Sequence, residues 1–408
     1  MDSTHVSGLA GVMKKKLLFI INDPNYFISH RLPIAIAARE QGYEIHVATG
    51  EPTILAKIRE ESFAYHFIPL SRSGRNIFSE TKSIIAIYHL MRRVKPSIVH
   101  LVTIKPVIYG SLAARFAKVP AVVAAITGLG YAFIDHHAEA QILRKIVVQL
   151  YRLAFRHQNL KVIFQNGDDK NTLISFGALK EEQSVLILGS GVDLTQYTYS
   201  SEPESPPFVV VLASRLLKDK GVVEYVEAAK LLKKWGLNAR FLLAGYPDPG
   251  NPSSISEAQI KEWTHSQDIE YVGYQNTASL FPHVHLVVLP SYREGLPRVL
   301  VEAAACGRAI ITTDVPGCRA AIIRDKTGLL VKARDPVSLA EAIRSLLVNA
   351  RLRNTMGAEG RKLAESEFDI KKIVEQHLQV YHMMCHAVPA ESHNELASQT
   401  TENNQDQT

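Results

Sequence analysis

The run LPSYREGLPRVLVEAAACG, from Leu289 to Gly307, decides the fold of this 408-residue chain. Val287, Val288 and Leu289 are strand formers, Pro290 to Leu296 is a polar loop, and Pro297 suits the first position of a helix, where its missing N–H costs nothing. A buried strand that feeds a helix through a short loop is part of a β-α-β unit, the repeating piece of a parallel sheet. Two carboxylates flank the helix start: Glu294 in the loop and Glu302 in the second turn. With seven residues between them they reach two ends of an elongated ligand lying across the helix N-terminus. The amides around Gly295 and Leu296 would face its middle, where a phosphate is best placed.

Working outward, the same alternation fills the chain. Strands are expected at Leu17–Ile21, Glu44–Ala48, Ala64–Ile68, Ile98–Val102, Ala121–Ile126 and Lys161–Phe164, with helices around Arg31–Gln41, Thr81–Val94, Val107–Ala117 and Ala138–Arg156 between them. After Gly189-Ser-Gly-Val-Asp and the Ser, Pro and Glu of 200–207 the pattern restarts: strands at Phe208–Ala213, Arg240–Ala244, Glu270–Val272, Leu286–Leu289 and Ala309–Thr313, helices at Val222–Lys234, Pro336–Val348, Leu352–Ser366 and Ile370–Met384. This is an α/β protein with two Rossmann-like domains whose parallel sheets face a central cleft, and ligands enter at the carboxyl ends of the strands.

Composition agrees with a globular enzyme. The chain is 46% hydrophobic and 21% charged, with a net charge of +6 that favours an anionic partner. Basic residues are scattered, with no reader motif or aromatic stacking pattern, so no nucleic-acid partner is expected. Cys306, Cys318 and Cys385 match no metal spacing and suit a reducing, cytoplasmic setting. The run LLFII after Lys14–Lys16 is too short for a signal peptide and meets Asn22-Asp-Pro at once, so it is read as the first strand. Where a nicotinamide enzyme would place G-x-G-x-x-G, the chain has NDPNYFISHRLP, which excludes that class.

Pro290, Ser291, Glu294, Gly295, Glu302, Ala303, Ala305 and Gly307 together resemble the donor-binding signature of the retaining glycosyltransferases of family 4. The segment SRLLKDKG, Ser214 to Gly221, is similar to that family's R-x-x-x-x-KG. The resemblance implies a GT-B fold. It assigns the donor diphosphate to Arg215 and Lys220, the ribose hydroxyls to Glu302 and the hydroxyls of the transferred sugar to Glu294. Both glutamates then serve as ionised acceptors, kept charged by the helix dipole. Tyr246, in the loop Gly245 to Ser254, is expected to border the donor pocket. No Asp-x-Asp triplet occurs, so Arg215 and Lys220 would neutralise the leaving charge without a metal, and no cofactor beyond the UDP-sugar donor substrate is expected.

In the first domain, SHRLP resembles the acceptor-side loop of a family 4 subgroup, which makes Ser29, His30 and Arg31 candidates to touch an acceptor diphosphate. His30 could equally cap its helix. Ile126-Thr-Gly-Leu-Gly ends a strand with glycines that let backbone approach a ligand, so Thr127, Gly128 and Gly130 join the acceptor candidates, as do the loop cations Arg72 and Lys105, with Arg75 beside them. Many family members carry histidine where Thr127 stands, and others glutamate where Ala320 stands. The GLG form is similar to bacterial N-acetylgalactosaminyltransferases acting on undecaprenyl-diphosphate-linked sugars.

The resemblance implies transfer of an N-acetylhexosamine from a UDP donor to a polyprenyl-diphosphate-linked saccharide, in the cytoplasm at the inner face of the cell membrane. The helix from Gln141 to His157 sets Arg144, Lys145, Arg152 and Arg156 among apolar residues, as a helix lying on an anionic membrane would. The expected partition is a disordered leader 1–12, an acceptor domain 13–188, a linker 189–207, a nucleotide-sugar domain 208–369, a helix 370–386 crossing back, and a disordered tail 387–408. A sugar-nucleotide-binding protein without turnover and a UDP-sugar epimerase of the same shape are the alternatives.

Overall fold

The computed structural model describes residues 14–70, 77–130, 133, 138–204 and 207–386. The leader 1–12, Met13, Arg72, Arg75 and the tail 387–408 lie outside the described residues. The first sheet contains β1 (Lys16–Ile21), β2 (Glu44–Thr49), β3 (Ala64–Phe67), β4 (Ile98–Val102), β5 (Ala121–Ile126), β6 (Leu160–Phe164) and β7 (Ser184–Leu186), in the order β3-β2-β1-β4-β5-β6-β7. Its helices are α1 (Pro24–His30), α2 (Leu32–Glu40), α3 (Leu55–Glu60), α4 (Ile77–Val94), α5 (Ile104–Ala117), α6 (Ala138–Ala154) and α7 (Gly167–Ser175). The second sheet has β8 (Phe208–Ala213), β9 (Ala239–Ala244), β10 (Glu270–Gly273), β11 (Leu286–Leu289), β12 (Ala309–Thr313) and β13 (Gly328–Val331), in the order β10-β9-β8-β11-β12-β13. With it run α8 (Val222–Lys234), α9 (Glu257–His265), α10 (Thr277–Leu280), α11 (Arg298–Ala305), α12 (Pro336–Val348), α13 (Ala350–Leu363) and α14 (Ile370–His386).

Every strand pair is parallel, and β4, β5, β11 and β12 are buried along their whole length. Apolar runs of this kind are strands covered by helices on both faces. Each sheet reverses its strand order once, between β1 and β4 and between β8 and β11. Such switch points leave a crevice at the carboxyl ends of the strands. The segments after β1, β8 and β11 therefore open on the crevice, and these carry SHR, SRLLKDKG and the two glutamates.

The chain passes between the sheets twice. Val192 N donates to Phe368 O at 2.8 Å and Ile370 N to Val192 O at 3.0 Å, so the two crossings lie side by side. Beyond them α14 packs on the first sheet: Ile373, Leu378, Val380, Tyr381 and Met384 share a core with Leu17, Phe19, Ala35, Ala38 and Tyr43.

Some sequence expectations are corrected. Pro297 is extended (φ −72°, ψ 115°) and precedes the helix, which starts at Arg298. The helix expected over Arg31–Gln41 is α2, but a further helix, α1, precedes it: Asp23 caps α1 with Pro24 at its first position, and Arg31, at φ −125°, separates the two. The helix expected over Leu352–Ser366 ends at Leu363 and widens into a π turn over Ala364–Phe368. Lys218–Lys220 form a 3₁₀ turn rather than opening the helix, and Gly221, at φ +72°, caps α8.

Candidate active site

Two adjoining cavities of about 640 and 1090 Å³ fill the crevice and share His30, Arg215, Tyr246 and Arg298. On the second-sheet side the charged groups are balanced in pairs. Arg215 Nη1 donates to Asp248 Oδ2 at 2.8 Å, and Lys220 Nζ donates to Glu294 Oε1. Arg215 keeps 36% of its side-chain surface and lines both cavities, and Lys220 lines the larger one, so the two can turn their charge to an anion entering the crevice.

Glu302 lies in the smaller cavity, nearly buried at 6% exposure. Thr277 Oγ1 donates to its Oε2 at 2.8 Å, and Arg298 Nε stands 2.7 Å from its Oε1. Burial pushes the Glu302 carboxyl up, opposed by Arg298, Thr277 and Tyr197. Desolvation disfavours the charged form, and the neighbouring guanidinium is the first of the groups that favour the anion. Tyr246 is half exposed, its ring 6.2 Å from that of Tyr274, and both border the smaller cavity. Leu296 and Gly295 line the larger cavity, but the Leu296 side chain is largely buried in the core.

From the first sheet, Ser29 Oγ lies 2.6 Å from His30 Nδ1, and the His30 ring stacks on Tyr26 at 3.8 Å. Burial, then the charges of Arg31 and Arg298, lower the His30 pKa to about 3. His30 therefore offers a neutral ring to the crevice. Arg31 is different: at 1% exposure it turns inward, donating to His30 O at 3.0 Å and Ser190 Oγ at 3.3 Å, and it lines neither cavity. Lys105 is held by Glu80 at 2.6 Å and also lies outside both cavities.

Thr127 lines the larger cavity. The glycines after it approach protein rather than open space. A Cβ on Gly128 would stand 3.2 Å from Gly295 N, and one on Gly295 would stand 2.1 Å from Thr127 O. A Cβ on Gly130 would meet Ile104 at 2.9 Å. The Gly128 and Gly295 contacts form a seam where the loops of the two sheets touch. Arg293 donates across it to Asp169, Asn166 Nδ2 to Gly295 O at 2.6 Å, Arg298 to Ser29 O, and Arg319 to Asp168 at 2.9 Å. None of Asn166, Asp169, Arg293, Arg298 or Asp248 was legible as a site residue. Asp168 and Asp169 lie in the first turn of α7, where acids are common for the helix dipole alone, and a lone basic residue beside each glutamate carries no signal without the opposite domain. Among the described residues no group of three or more His, Cys, Asp or Glu is placed to hold a metal ion.

Sequence families meet this geometry on both sides of the crevice. Residues 16–166 match the glycosyl transferase 4-like family, and residues 196–363 match glycosyl transferases group 1. Both matched stretches are glycosyltransferase domains. This glycosyltransferase is 29% identical over 377 residues to the N,N'-diacetylbacillosaminyl-diphospho-undecaprenol alpha-1,3-N-acetylgalactosaminyltransferase of Campylobacter jejuni, covering 87% of this chain and 97% of that protein. It is 25% identical over 347 residues to the capsular polysaccharide biosynthesis glycosyltransferase CapM of Staphylococcus aureus, covering 83% and 89%. Among solved structures, sucrose-phosphate synthase of Thermosynechococcus elongatus superposes with a TM-score of 0.77 at 19% identity, covering 92% of this chain and all of that one. Anabaena HepE, in complex with UDP, does so with 0.71 at 18%, covering 91% and 100%. The architecture is GT-B.

Proposed function

We propose that this glycosyltransferase moves an N-acetylhexosamine, of the N-acetylgalactosamine type, from a UDP donor to a polyprenyl-diphosphate-linked saccharide with retention of anomeric configuration, in the assembly of a cell-surface polysaccharide or glycan. The observation that carries this reading is the convergence of Arg215, Lys220, Glu294 and Glu302 on one crevice. The near full-length likeness to an undecaprenol-linked N-acetylgalactosaminyltransferase supports the sugar and the acceptor.

In this reading Glu302 accepts from the ribose hydroxyls and Glu294 from the transferred sugar. The bond from C1 to the diphosphate oxygen breaks while the acceptor hydroxyl bonds to C1 from the same face. The hydroxyl proton passes to the departing diphosphate. Arg215 and Lys220 face the charge that grows on that oxygen, where a fixed donor is worth about 10²–10³ in rate. The neutral His30 and Ser29 hydrogen-bond the acceptor without adding charge.

No described helix is long and apolar enough to cross a membrane. Helix α6 instead exposes Ile142, Leu143 and Ile146 beside Lys145, a surface suited to the interface of an anionic bilayer at the cytoplasmic face.

UDP release from a panel of UDP-sugars, with and without a polyprenyl-diphosphate-N-acetylhexosamine and in excess chelator, tests the reading. Acceptor-dependent release that survives chelation is expected. Conversion of the UDP-sugar without acceptor, or UDP binding with no release across the panel, would sink it in favour of an epimerase or a binding protein.

A further inference from the structure

We infer that Asp169 and Arg293 are a positioning pair through which the first domain sets Glu294 against the transferred sugar. The inference rests on the donor role given to Glu294 above.

Glu294 is gripped through its neighbours. On its own side, its N–H donates to Pro316 O at 3.1 Å, and a Cβ on Gly317 would lie 2.3 Å from Glu294 O, so the loop has no slack there. From the opposite side come two residues of one short segment, the turn from β6 into α7. Asn166 holds Gly295 O at 2.6 Å, and Asp169 accepts from Arg293. The residues immediately before and after Glu294 are therefore both fixed by the other domain.

Asp169 is itself held. Its N–H donates to Asn166 Oδ1 at 2.8 Å, its Oδ2 accepts from Asn166 Nδ2 at 3.2 Å, and its side chain is 1% exposed. Arg293 is 13% exposed and also donates to Phe133 O at 3.4 Å. A buried ion pair is a poor source of stability, because desolvation consumes most of its attraction, and its better-attested use is to fix a register. Here the register fixed is that of the loop bearing a sugar-contacting carboxylate. Glu294 thus reaches its working position only when the domain that carries the acceptor is docked.

Removing both charges together tests this, since a pair replaced as a whole leaves no buried charge behind. The double variant Asp169→Asn/Arg293→Gln is compared with wild type in UDP affinity, KM and kcat for transfer, and amide hydrogen exchange of residues 293–297. UDP affinity and KM within about threefold, kcat lower by about 10²-fold, and exchange in 293–297 faster by tenfold or more are expected, since a misplacement near 1 Å costs about that much in rate. A stabilising role alone would move the melting temperature and leave kcat of the folded protein within threefold, which overturns the inference. Should the double variant not fold, Arg293→Lys decides: it keeps the charge but not the fork, and kcat within twofold of wild type overturns the inference, whereas a fivefold loss at unchanged UDP affinity supports it. If wild type transfers nothing to any acceptor tried, the proposed function fails, and the exchange comparison still judges the pair: faster exchange supports it and unchanged exchange refutes it.

Discussion

Gly295→Ala makes the sharpest test of the domain seam. Gly295 has no left-handed φ, so alanine suits its backbone and only space opposes it. The new methyl would lie 2.1 Å from Thr127 O and 2.7 Å from Gln165 Oε1, where ordinary contact begins near 3.4 Å. The obstacle is backbone of the other domain, so relief requires a movement of about 1 Å in the loop or between the domains. Overpacking of this kind costs about 1–3 kcal/mol, and loss of the Asn166 bond to Gly295 O adds about 1 kcal/mol. Because Glu294 precedes the methyl, the same movement lowers transfer about 10²-fold, or about 2.7 kcal/mol of transition-state stabilisation. The assay is acceptor-dependent UDP release at saturating donor, paired with urea unfolding. Gly360→Ala is the control: its methyl would meet Ala304 at 3.6–3.9 Å inside α13, so it should stabilise by about 0.5–1 kcal/mol and leave turnover alone. Turnover of Gly295→Ala within threefold of wild type at unchanged stability would refute the seam as described.

Arg215→Ala should lower kcat about 10²-fold with little change in UDP affinity, whereas Glu302→Ala should weaken UDP binding by about 1.5–3 kcal/mol; isothermal titration with single-turnover kinetics separates them, and equal losses of both kinds at Arg215 would contradict the division. His30 takes a proton near 6.5 when unfolded and only near 3 when folded, so the unfolded state binds more protons between those values and stability rises with pH across that window. His30→Gln should flatten this part of a denaturation-midpoint-against-pH curve, and an unaltered slope would argue against the buried neutral ring. Ile142→Asp/Ile146→Asp should abolish sedimentation with anionic vesicles while leaving transfer to a short-chain soluble acceptor unchanged; retained vesicle binding would remove α6 from the docking surface.

Long periodic elements were legible in the sequence because burial on both faces writes continuous apolar runs, as in β4, β5 and β11. Helix α1 is hard to see in the apolar pattern, although Asp23 before Pro24 is a start signal, because it buries only Pro24 and Phe27. Strand β7, three residues long and only partly buried, offers no period to detect. At the site, the donor-side residues could be named because they share one local segment each. Arg31 was placed wrongly toward the cleft, since a cation next to His30 carries no sign of which way it points. The seam was invisible because its partners lie more than 120 positions apart in the chain, as Asp169 and Arg293 do.

The side-by-side crossings at Val192 and Ile370 also govern how the protein is made. The cover of the first sheet, α14, leaves the ribosome only after the whole second sheet, so the faces of Leu17, Phe19, Ala38 and Tyr43 stay bare while roughly 200 further residues are added, about 10–40 s of synthesis. The first domain is begun before the second and completed after it. A nascent chain stopped between residues 331 and 370 would carry a finished second sheet joined to an unfinished first one, and the greasy surface left open belongs to the domain that was begun earlier of the two.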